Sequence, residues 1–227
     1  MIGLIYVTGD THIPIDISKL NTKNFPEQSN LTRNDYLVIL GDFGLFWKND
    51  KTHEHWKRWL EEKPFSILWI DGNHENFDWI KTFPVTEWHG GKVQQTSDNI
   101  IHLMRGETYE IEGKVFLAAG GANSIDIMYR TPHVSWWPDE LWSYEEQDNI
   151  LSKIDDHIDY VLSHTCPCDI VRSMFRVKDN TDPTTKLLQE VYDEIGSRIK
   201  GWYFGHWHED KDLDIFHCLY NDIKQIE

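Results

Sequence analysis

The chain has 227 residues, of which 40% are hydrophobic and 26% charged, a composition that is typical of globular proteins and excludes an intrinsically disordered one. Its formal net charge of -16 comes from 38 acidic and 22 basic residues, so the surface as a whole should repel a long nucleic acid. Because apolar runs stay well short of the roughly 18 residues of a membrane span and the first residues carry no basic targeting segment, we expect one cytoplasmic domain over residues 1–227 with no membrane contact.

Six short apolar runs, each followed by polar residues, are predicted to be strands. Runs that are apolar at every position are typical of strands covered on both faces. In chain order they span residues 2–7, 36–40, 66–70, 115–119, 160–162 and 202–204. Their polar ends are therefore expected at the carboxyl edge of a sheet, where the ligand sites of open α/β sheets lie.

Helices are predicted between these strands, over residues 53–62, 75–82, 143–156 and 184–195. The first and last have apolar side chains at the i, i+3, i+4 spacing of one helix face. Ser143 and Glu146 form a capping-box pattern at the start of the third, and Gly196 is expected to end the fourth.

Four further segments alternate between apolar and polar residues and favour antiparallel strands: 93–95, 100–104, 108–111 and 213–216. Residues 16–35, rich in Asn, Thr and Ser, are predicted to be a surface loop or a poorly ordered excursion. The three cysteines have no regular spacing and are expected to be reduced, with a local turn at Cys166-Pro-Cys168. The fold class that follows is α/β with a mixed sheet.

Five polar motifs stand where predicted strands end: Asp10-Thr-His12, Gly41-Asp42, Gly72-Asn73-His74, Ser163-His164 and Gly205-His206-Trp-His208. In an extended segment residues i and i+2 point to the same side, so the outer residues of Asp-x-His and His-x-His can reach one cation. The glycines permit sharp turns next to the ligands, with positive φ where needed. Carboxylate, imidazole and amide oxygen suit Mn, Fe or Zn better than Ca or Cu(I).

Seven side chains are candidate metal ligands: Asp10, His12, Asp42, Asn73, His164, His206 and His208. They are too many for one tetrahedral ion and fit two ions that share a carboxylate, for which Asp42 is the natural bridge. The alternative is that these strand-end residues only form turns and caps, which would require five independent coincidences with metal-ligand chemistry.

These five motifs, in this order from Asp10 to His208, resemble those of the calcineurin-like metallophosphoesterase family, and the resemblance covers nearly the whole chain. It implies a four-layer αββα sandwich with two mixed β-sheets and the metals at one end. It also implies that one metal is held by Asp10, His12, Asp42 and His208, and the other by Asp42, Asn73, His164 and His206.

The activity implied by the resemblance is hydrolysis of a phosphate monoester or diester with two divalent metal ions, for which Mn is favoured and Fe, Zn or Ni are alternatives. Such a metal pair activates a bridging water as hydroxide and neutralises the phosphate, so that hydroxide attacks phosphorus. His74 would face the substrate, and we predict it to be the general acid that protonates the leaving group. The predicted substrate is a small phosphorylated or nucleotide-like molecule.

The chain departs from the family pattern after Asp42. Many members have Gly-Asp-x-x-Asp-Arg, in which the second Asp supports the catalytic His and the Arg binds phosphate, whereas residues 41–45 here read Gly-Asp-Phe-Gly-Leu. This disfavours a calcineurin-type protein phosphatase. Arg130 is the candidate substitute for phosphate binding, and residues 121–142 around it are predicted either to face the substrate or, as tryptophans usually do, to pack on the core.

The sequence disfavours two other functions. A nuclease acting on DNA or RNA is disfavoured by the negative charge and the lack of a basic stripe. A non-catalytic binding module with the same fold would be expected to have lost ligands or His74, yet all are present. The pattern therefore favours an enzyme, and it does not indicate an oligomeric state.

Overall fold

The computed structural model describes residues 3–177 and 182–227, in which thirteen strands form two mixed sheets. The first sheet contains β1 Ile5–Thr8, β2 Tyr36–Leu40, β3 Ser66–Ile70, β4 Val85–Trp88, β5 Gly91–Ser97, β6 Ile100–Leu103 and β13 Lys224–Gln225. The second contains β7 Thr108–Ile111, β8 Lys114–Ala119, β9 Tyr160–Ser163, β10 Gly201–Phe204, β11 Lys211–Leu213 and β12 Phe216–Cys218. The first predicted strand began at Ile2, which lies outside the described residues.

Both sheets are parallel in the middle and antiparallel at the edges. The first has the order β13-β1-β2-β3-β6-β5-β4, and its parallel part is β1 to β6. The second has the order β11-β12-β10-β9-β8-β7, and its parallel part is β12 to β8. All the strands that precede the five polar motifs lie in these parallel parts, so their carboxyl ends meet at one edge.

Five helices cover the sheets: α1 Lys51–Glu61, α2 Phe77–Ile80, α3 Tyr144–Ser152, α4 Cys168–Phe175 and α5 Pro183–Ile195. None of the helices within residues 3–177 and 182–227 is long and apolar enough to cross a membrane. The predicted capping box is confirmed, since Ser143 and Glu146 bond to each other's backbone at the start of α3. Gly196 is confirmed as the residue that follows the end of α5.

The hydrophobic core has three parts, which confirms the four-layer αββα sandwich. The central part lies between the sheets, where Val38 and Leu68 of the first sheet meet Phe116 and Leu162 of the second. One outer part packs α1 and its neighbours on the first sheet, and the other packs α3 to α5 on the second. Successive side chains of a strand point to opposite faces, so a strand between two apolar layers must be apolar throughout.

The segment predicted as a surface loop, residues 16–35, is instead packed on the first sheet. It forms two 3-10 turns, Ile17–Leu20 and Pro26–Asn30, and buries Leu20 and Phe25 in the outer core. Its apolar residues are spaced irregularly, without the period of a helix or strand, which is why its composition indicated a loop.

Several predicted boundaries also need correction. The third helix ends at Ser152 and not near 156, the second spans only Phe77–Ile80, and residues 213–216 are a hairpin between β11 and β12. Asp214 in that hairpin has φ of +55°, a turn conformation that Asp tolerates. The segment after Cys166-Pro-Cys168 continues into α4, which was not predicted, and all three cysteines are free thiols.

A buried ion pair joins Asp71, which follows β3, to Arg105, which follows β6. Arg105 also connects the first sheet to the backbone of Glu140 and Leu141. Arg105 Nε donates to Asp71 Oδ2 at 2.7 Å, and Nη1 and Nη2 donate to the carbonyls of Leu141 and Glu140 at 3.1 and 3.2 Å. Burial would raise the pKa of Asp71, but the positive charge of Arg105 and a hydrogen bond from His102 hold it well below its ordinary value. The carboxylate is therefore charged and fully compensated.

Replacing Arg105 should be costly because it leaves that buried carboxylate without its positively charged arginine partner and with only the hydrogen bond from His102. We expect Arg105→Leu to lower the free energy of unfolding by about 3–5 kcal/mol in urea denaturation. The pKa of Asp71 is lowered in the folded state, so the pair stabilises the fold above pH 3.8, the ordinary pKa of an aspartate. The difference in stability between wild type and variant should shrink as the pH falls below that value.

The matched control is Lys57→Ala, which removes the half-exposed ion pair between Lys57 and Glu61 on α1. It should cost under about 1 kcal/mol. If Arg105→Leu cost no more than this control, the buried pair would not be a main support of this edge.

Candidate metal centre

The carboxyl ends of five parallel strands bring all seven candidate ligands together. Asp10, Asp42 and Asn73 follow β1, β2 and β3, which are neighbours in the first sheet, and His164 and His206 follow β9 and β10 in the second. Two groups of donor atoms lie within 4.8 Å of one another: Asp10 with His12 and His208, and Asp10 with Asp42 and His164. The site therefore joins both sheets at one edge of the sandwich.

Five of the seven candidates have backbone in the left-handed region, with φ between +21° and +68°: Asp10, His12, Asp42, His206 and His208. Such conformations are rare for residues other than glycine and concentrate at functional sites, where the surrounding structure holds them. The turns at Asp10 and His208 are thus not extended, although the predicted approach of residues i and i+2 to one cation required extended segments.

The two His-containing pairs accordingly behave differently. His12 stays with Asp10, as predicted, and its ring centroid lies 4.9 Å from that of His208. His206 points elsewhere, with its ring 5.0 Å from that of His164. The turn separates the two rings, so that His208 lies beside His12 and His206 lies beside His164.

Two glycines are required by the close packing of this edge. Gly41 has φ of +86°, and a Cβ there would lie 2.2 Å from Nδ1 of His164. A Cβ on Gly72 would lie 2.1 Å from Oδ1 of Asp42. Gly41 thus shows the predicted positive φ, whereas Gly72 is needed for space alone.

The carboxylate of Asp42 faces a histidine on each side. Its Oδ2 lies 3.3 Å from Nε2 of His12, and its Oδ1 lies 3.3 Å from Nε2 of His164. Two ligands of one ion with bonds of about 2.1 Å stand roughly 3.0–3.4 Å apart, so each contact fits a shared cation. The donor set and its spacing therefore fit two divalent cations with Asp42 between them.

Hydrogen bonds to the far ring nitrogen orient two of these histidines. Nδ1 of His12 lies 2.8 Å from Oδ2 of Asp16, and Nδ1 of His164 lies 2.7 Å from the carbonyl of Leu40. An acceptor at Nδ1 keeps the proton there and leaves Nε2 as the ligand atom, an arrangement common among metal-binding histidines. Asp16, four residues after His12, lies outside the five motifs, which contain only ligand positions and their neighbours. The motifs therefore did not indicate it.

Lys19 is a second residue that the sequence did not reveal. Its ammonium group is buried and donates to the carbonyls of Gly9 and Asp10 at 2.6 and 2.9 Å, and also to that of Tyr220. These hydrogen bonds stabilise the left-handed turn at Asp10. Lys19 lies in the segment predicted as a surface loop, where a lysine is ordinarily solvated.

Burial and neighbouring charges shift the pKa of several ligand candidates. Burial raises the pKa of Asp10 to about 7. Burial would lower the pKa of His12 and His164, but the Asp42 and Asp10 carboxylates outweigh it and raise them to about 9 and about 10. His206 lacks such compensation, and burial together with the His164 charge lowers its pKa to about 3. Protons on His12 and His164 thus supply positive charge where cations would fit.

His74 and Arg130 lie side by side at the rim of this centre. The backbone N–H of His74 donates to Asp42 Oδ1 at 2.7 Å, and the terminal nitrogens of Arg130 lie 3.2 Å from the two ring nitrogens of His74. Arg130 is itself held by Asp126, whose Oδ1 accepts from Nε at 2.7 Å. Burial and the Arg130 charge lower the pKa of His74 despite the nearby Asp42. The structure thus brings together the two residues predicted to contact substrate, and their roles stay predictions.

An open pocket of about 580 Å³ is lined in part by tryptophans, one of which, Trp47, lies near His74. Its lining includes Trp47, whose ring centroid is 6.5 Å from that of His74, and Trp79. Trp137 closes one side, but it is buried and its Nε1 donates to Asp78 at 2.7 Å. Trp137 therefore packs on the core, whereas the half-buried Trp47 and Trp79 offer aromatic surface to the pocket.

Comparison with known protein families identifies a family model that matches most of the chain. The family model of calcineurin-like phosphoesterases matches residues 3–210, a stretch that includes every candidate ligand from Asp10 to His208. No curated protein matches the chain.

Metal binding should release protons, because His12 and His164 must lose theirs to coordinate a cation. With pKa values of about 9 and about 10, both are protonated at pH 7, and Asp10, with a pKa of about 7, is about half protonated there. We therefore expect between about two and three protons released per chain at this pH. The measurement is calorimetric titration of Mn²⁺ into metal-stripped protein in two buffers of different ionisation enthalpy.

The number released should fall as pH rises through 9 and 10, since the two imidazoles are then already neutral. His217→Gln is the control, because His217 bonds to Asp212 away from the ligands. Release of fewer than about one proton at pH 7 would contradict protonated imidazoles that a cation displaces from His12 and His164.

Proposed function

Since the chain belongs to the calcineurin-like phosphoesterase family, we propose that it hydrolyses a small phosphorylated or nucleotide-like ester with two divalent metal ions. The observation that supports this most directly is the Asp42 carboxylate, whose two oxygens each lie 3.3 Å from a different histidine. That arrangement suits a bridge between two cations.

The proposed ligands form two sets that share Asp42: Asp10, His12, Asp42 and His208 for one cation, and Asp42, Asn73, His164 and His206 for the other. When bound, the two cations supply the positive charge that lowers the pKa of a water nucleophile and offsets the charge of the phosphate. Mn is the proposed metal, because mixed carboxylate, imidazole and amide ligands suit it, and Fe, Zn and Ni are alternatives.

We propose that His74 is the general acid. Its ring lies at the rim of the centre, while its backbone is fixed on Asp42, so substrate and imidazole can meet beside the metals. Its pKa is lowered in the free protein, which keeps it largely neutral near pH 7, but a bound phosphate anion favours the imidazolium. The protonated ring then donates to the leaving oxygen.

Arg130 is the proposed phosphate-binding residue. Its guanidinium is positioned by Asp126 and by the carbonyl of Ser135, 3.1 Å from Nη1, and it contacts the ring of His74. A phosphate oxygen that reaches His74 would thus meet Arg130 as well. This supports Arg130 in the place of the arginine that is missing after Asp42.

The aromatic pocket supports a substrate with a planar group. Trp47 and Trp79 line it, the ring of Trp47 lies 6.5 Å from that of His74, and aromatic side chains of this kind stack on nucleobases. The net charge of -16 opposes a long nucleic acid, which favours a mononucleotide-sized molecule.

The experiment that tests the function uses metal-stripped protein with p-nitrophenyl phosphate and bis-p-nitrophenyl phosphate. Mn, Fe, Zn, Ni and Mg are added in turn, and we expect turnover with at least one ester and the highest rate with Mn. Activity only on DNA or RNA would favour a nuclease. Failure with every ester, nucleic acid and metal would exclude the enzyme and leave a binding module.

The acid role of His74 predicts a dependence on the leaving group. His74→Asn should lower kcat about 10²- to 10⁴-fold on an alkyl phosphate, whose leaving group needs a proton, and far less on the p-nitrophenyl ester. In the wild type, kcat should fall as pH rises through the pKa of His74 in the substrate complex, and the variant should lack that limb. Equal losses on both esters would contradict the acid role.

Arg130 should act on both binding and the pH profile. Arg130→Met should lower kcat/KM by roughly tenfold to a hundredfold, the effect of a lost hydrogen bond to a charged group. Because the Arg130 charge lowers the pKa of His74, the alkaline limb of kcat should also move to higher pH. Arg172→Met, which removes an exposed arginine of α4, is the control, and an equal effect there would argue against a local role.

A further inference from the structure

A buried chain of hydrogen bonds lies behind the amide of Asn73. Nδ2 of Asn73 donates to Oγ of Ser124 at 3.1 Å, and Oγ of Ser124 donates to Oε2 of Glu140 at 2.7 Å. The backbone N–H of Ser124 donates to the other carboxylate oxygen, Oε1, at 2.8 Å. The three residues are only 4%, 3% and 0% exposed, so water does not compete for these bonds.

The direction of donation along this chain determines which way the amide faces. Burial raises the pKa of Glu140, but wherever this group is ionised it has acceptors only, so both of its bonds to Ser124 then require Ser124 as the donor. A hydroxyl has one proton, and once it is given to Glu140 the oxygen can only accept. The group that Asn73 turns to Ser124 must therefore be NH₂, which leaves Oδ1 facing Nε2 of His164, 3.2 Å away.

This orientation decides whether Asn73 can bind a cation. An amide coordinates through its oxygen, and the same side chain turned by half a rotation presents NH₂, which has a similar shape but cannot coordinate. We infer that Ser124 and Glu140 are positioning residues that hold the oxygen of Asn73 toward the cation it shares with Asp42, His164 and His206. The inference rests on the metal centre of the proposed function.

The position of Glu140 is itself fixed by the packing around it. Arg105 Nη2 donates to its backbone carbonyl at 3.2 Å. Gly121 has φ of +82°, and a Cβ there would lie 2.7 Å from that same carbonyl, so the two ends of the segment 121–142 are in close contact. These contacts fix the backbone of Glu140, from which its carboxylate reaches Ser124.

The test is calorimetric titration of metal-stripped protein with Mn²⁺, which resolves two binding events if both cation positions exist. In Glu140→Gln the introduced amide can donate to Ser124, whose proton is then free to bond Oδ1 of Asn73 and turn the amide the wrong way. We expect one of the two Mn²⁺ affinities to fall by more than about tenfold while the other stays unchanged. Ser124→Ala removes the constraint without reversing it, so its loss should be smaller and confined to the same event.

Ser143→Ala is the matched control. Ser143 makes the same kind of double contact, through its N–H and its Oγ, with the carboxylate of Glu146 at 2.7 and 2.8 Å, but at the start of α3. It should lower the midpoint of thermal unfolding and leave both Mn²⁺ affinities as they are. The unchanged event in Glu140→Gln shows in the same titration that the fold is intact.

The outcomes separate this inference from the proposed function. A wild-type protein that bound fewer than two Mn²⁺ and hydrolysed no ester would overturn the function. A wild type that did both, with Glu140→Gln within about threefold of it at both events, would overturn the inference alone. Equal weakening of both events, or a larger loss in Ser124→Ala than in Glu140→Gln, would also overturn it, because neither follows from a turned amide. If Glu140→Gln did not fold, Ser124→Ala would decide: a loss at one event supports the inference, and no loss overturns it.

Discussion

The buried carboxylate of Asp42 is the group around which the two sheets are organised. It is 1% exposed, yet its pKa lies well below the ordinary value, because the charges of His164 and His12 outweigh its burial. Such a charge is tolerated in an interior only where every oxygen is compensated. The compensation comes from both sheets: His12 and the backbone of His74 belong to loops of the first, and His164 follows a strand of the second. The packing of the two sheets and the charge balance of the site thus depend on the same contacts of Asp42.

This constraint explains why the fold was largely predictable from the sequence. A strand that contributes to two apolar layers has to be apolar at every position, so β2 and β3 could be recognised with their observed boundaries. A strand must also end before its polar ligand, so each motif marked a boundary as well as a chemical group. The helices were less well bounded, since α2 and α3 end where packing ends and no residue in the sequence marks that point.

The supports of the site were much less predictable than its ligands. Lys19, Ser124 and Glu140 are ordinary polar residues. The residues next to them in the sequence form no periodic hydrophobic pattern and no motif. Their meaning comes from partners far along the chain: Lys19 bonds to Tyr220, and Ser124 to Asn73. Residues that act through such long-range contacts leave no local pattern, whereas a ligand placed directly after a buried strand does. The sequence therefore indicates the chemistry of this site better than the geometry that supports it.

The strand β13 has a consequence for how the protein is made. Gln225 pairs with Tyr6, and β13 covers the outer side of β1, the strand that leads into Asp10. During synthesis the first strand therefore emerges long before the partner that completes its pairing, and the ligands between Asp10 and His208 emerge over the same interval. Contacts of such high sequence separation form late in folding. The nascent chain thus has a long period with exposed strand edges, and the seven candidate ligands come together only after His208 has been synthesised.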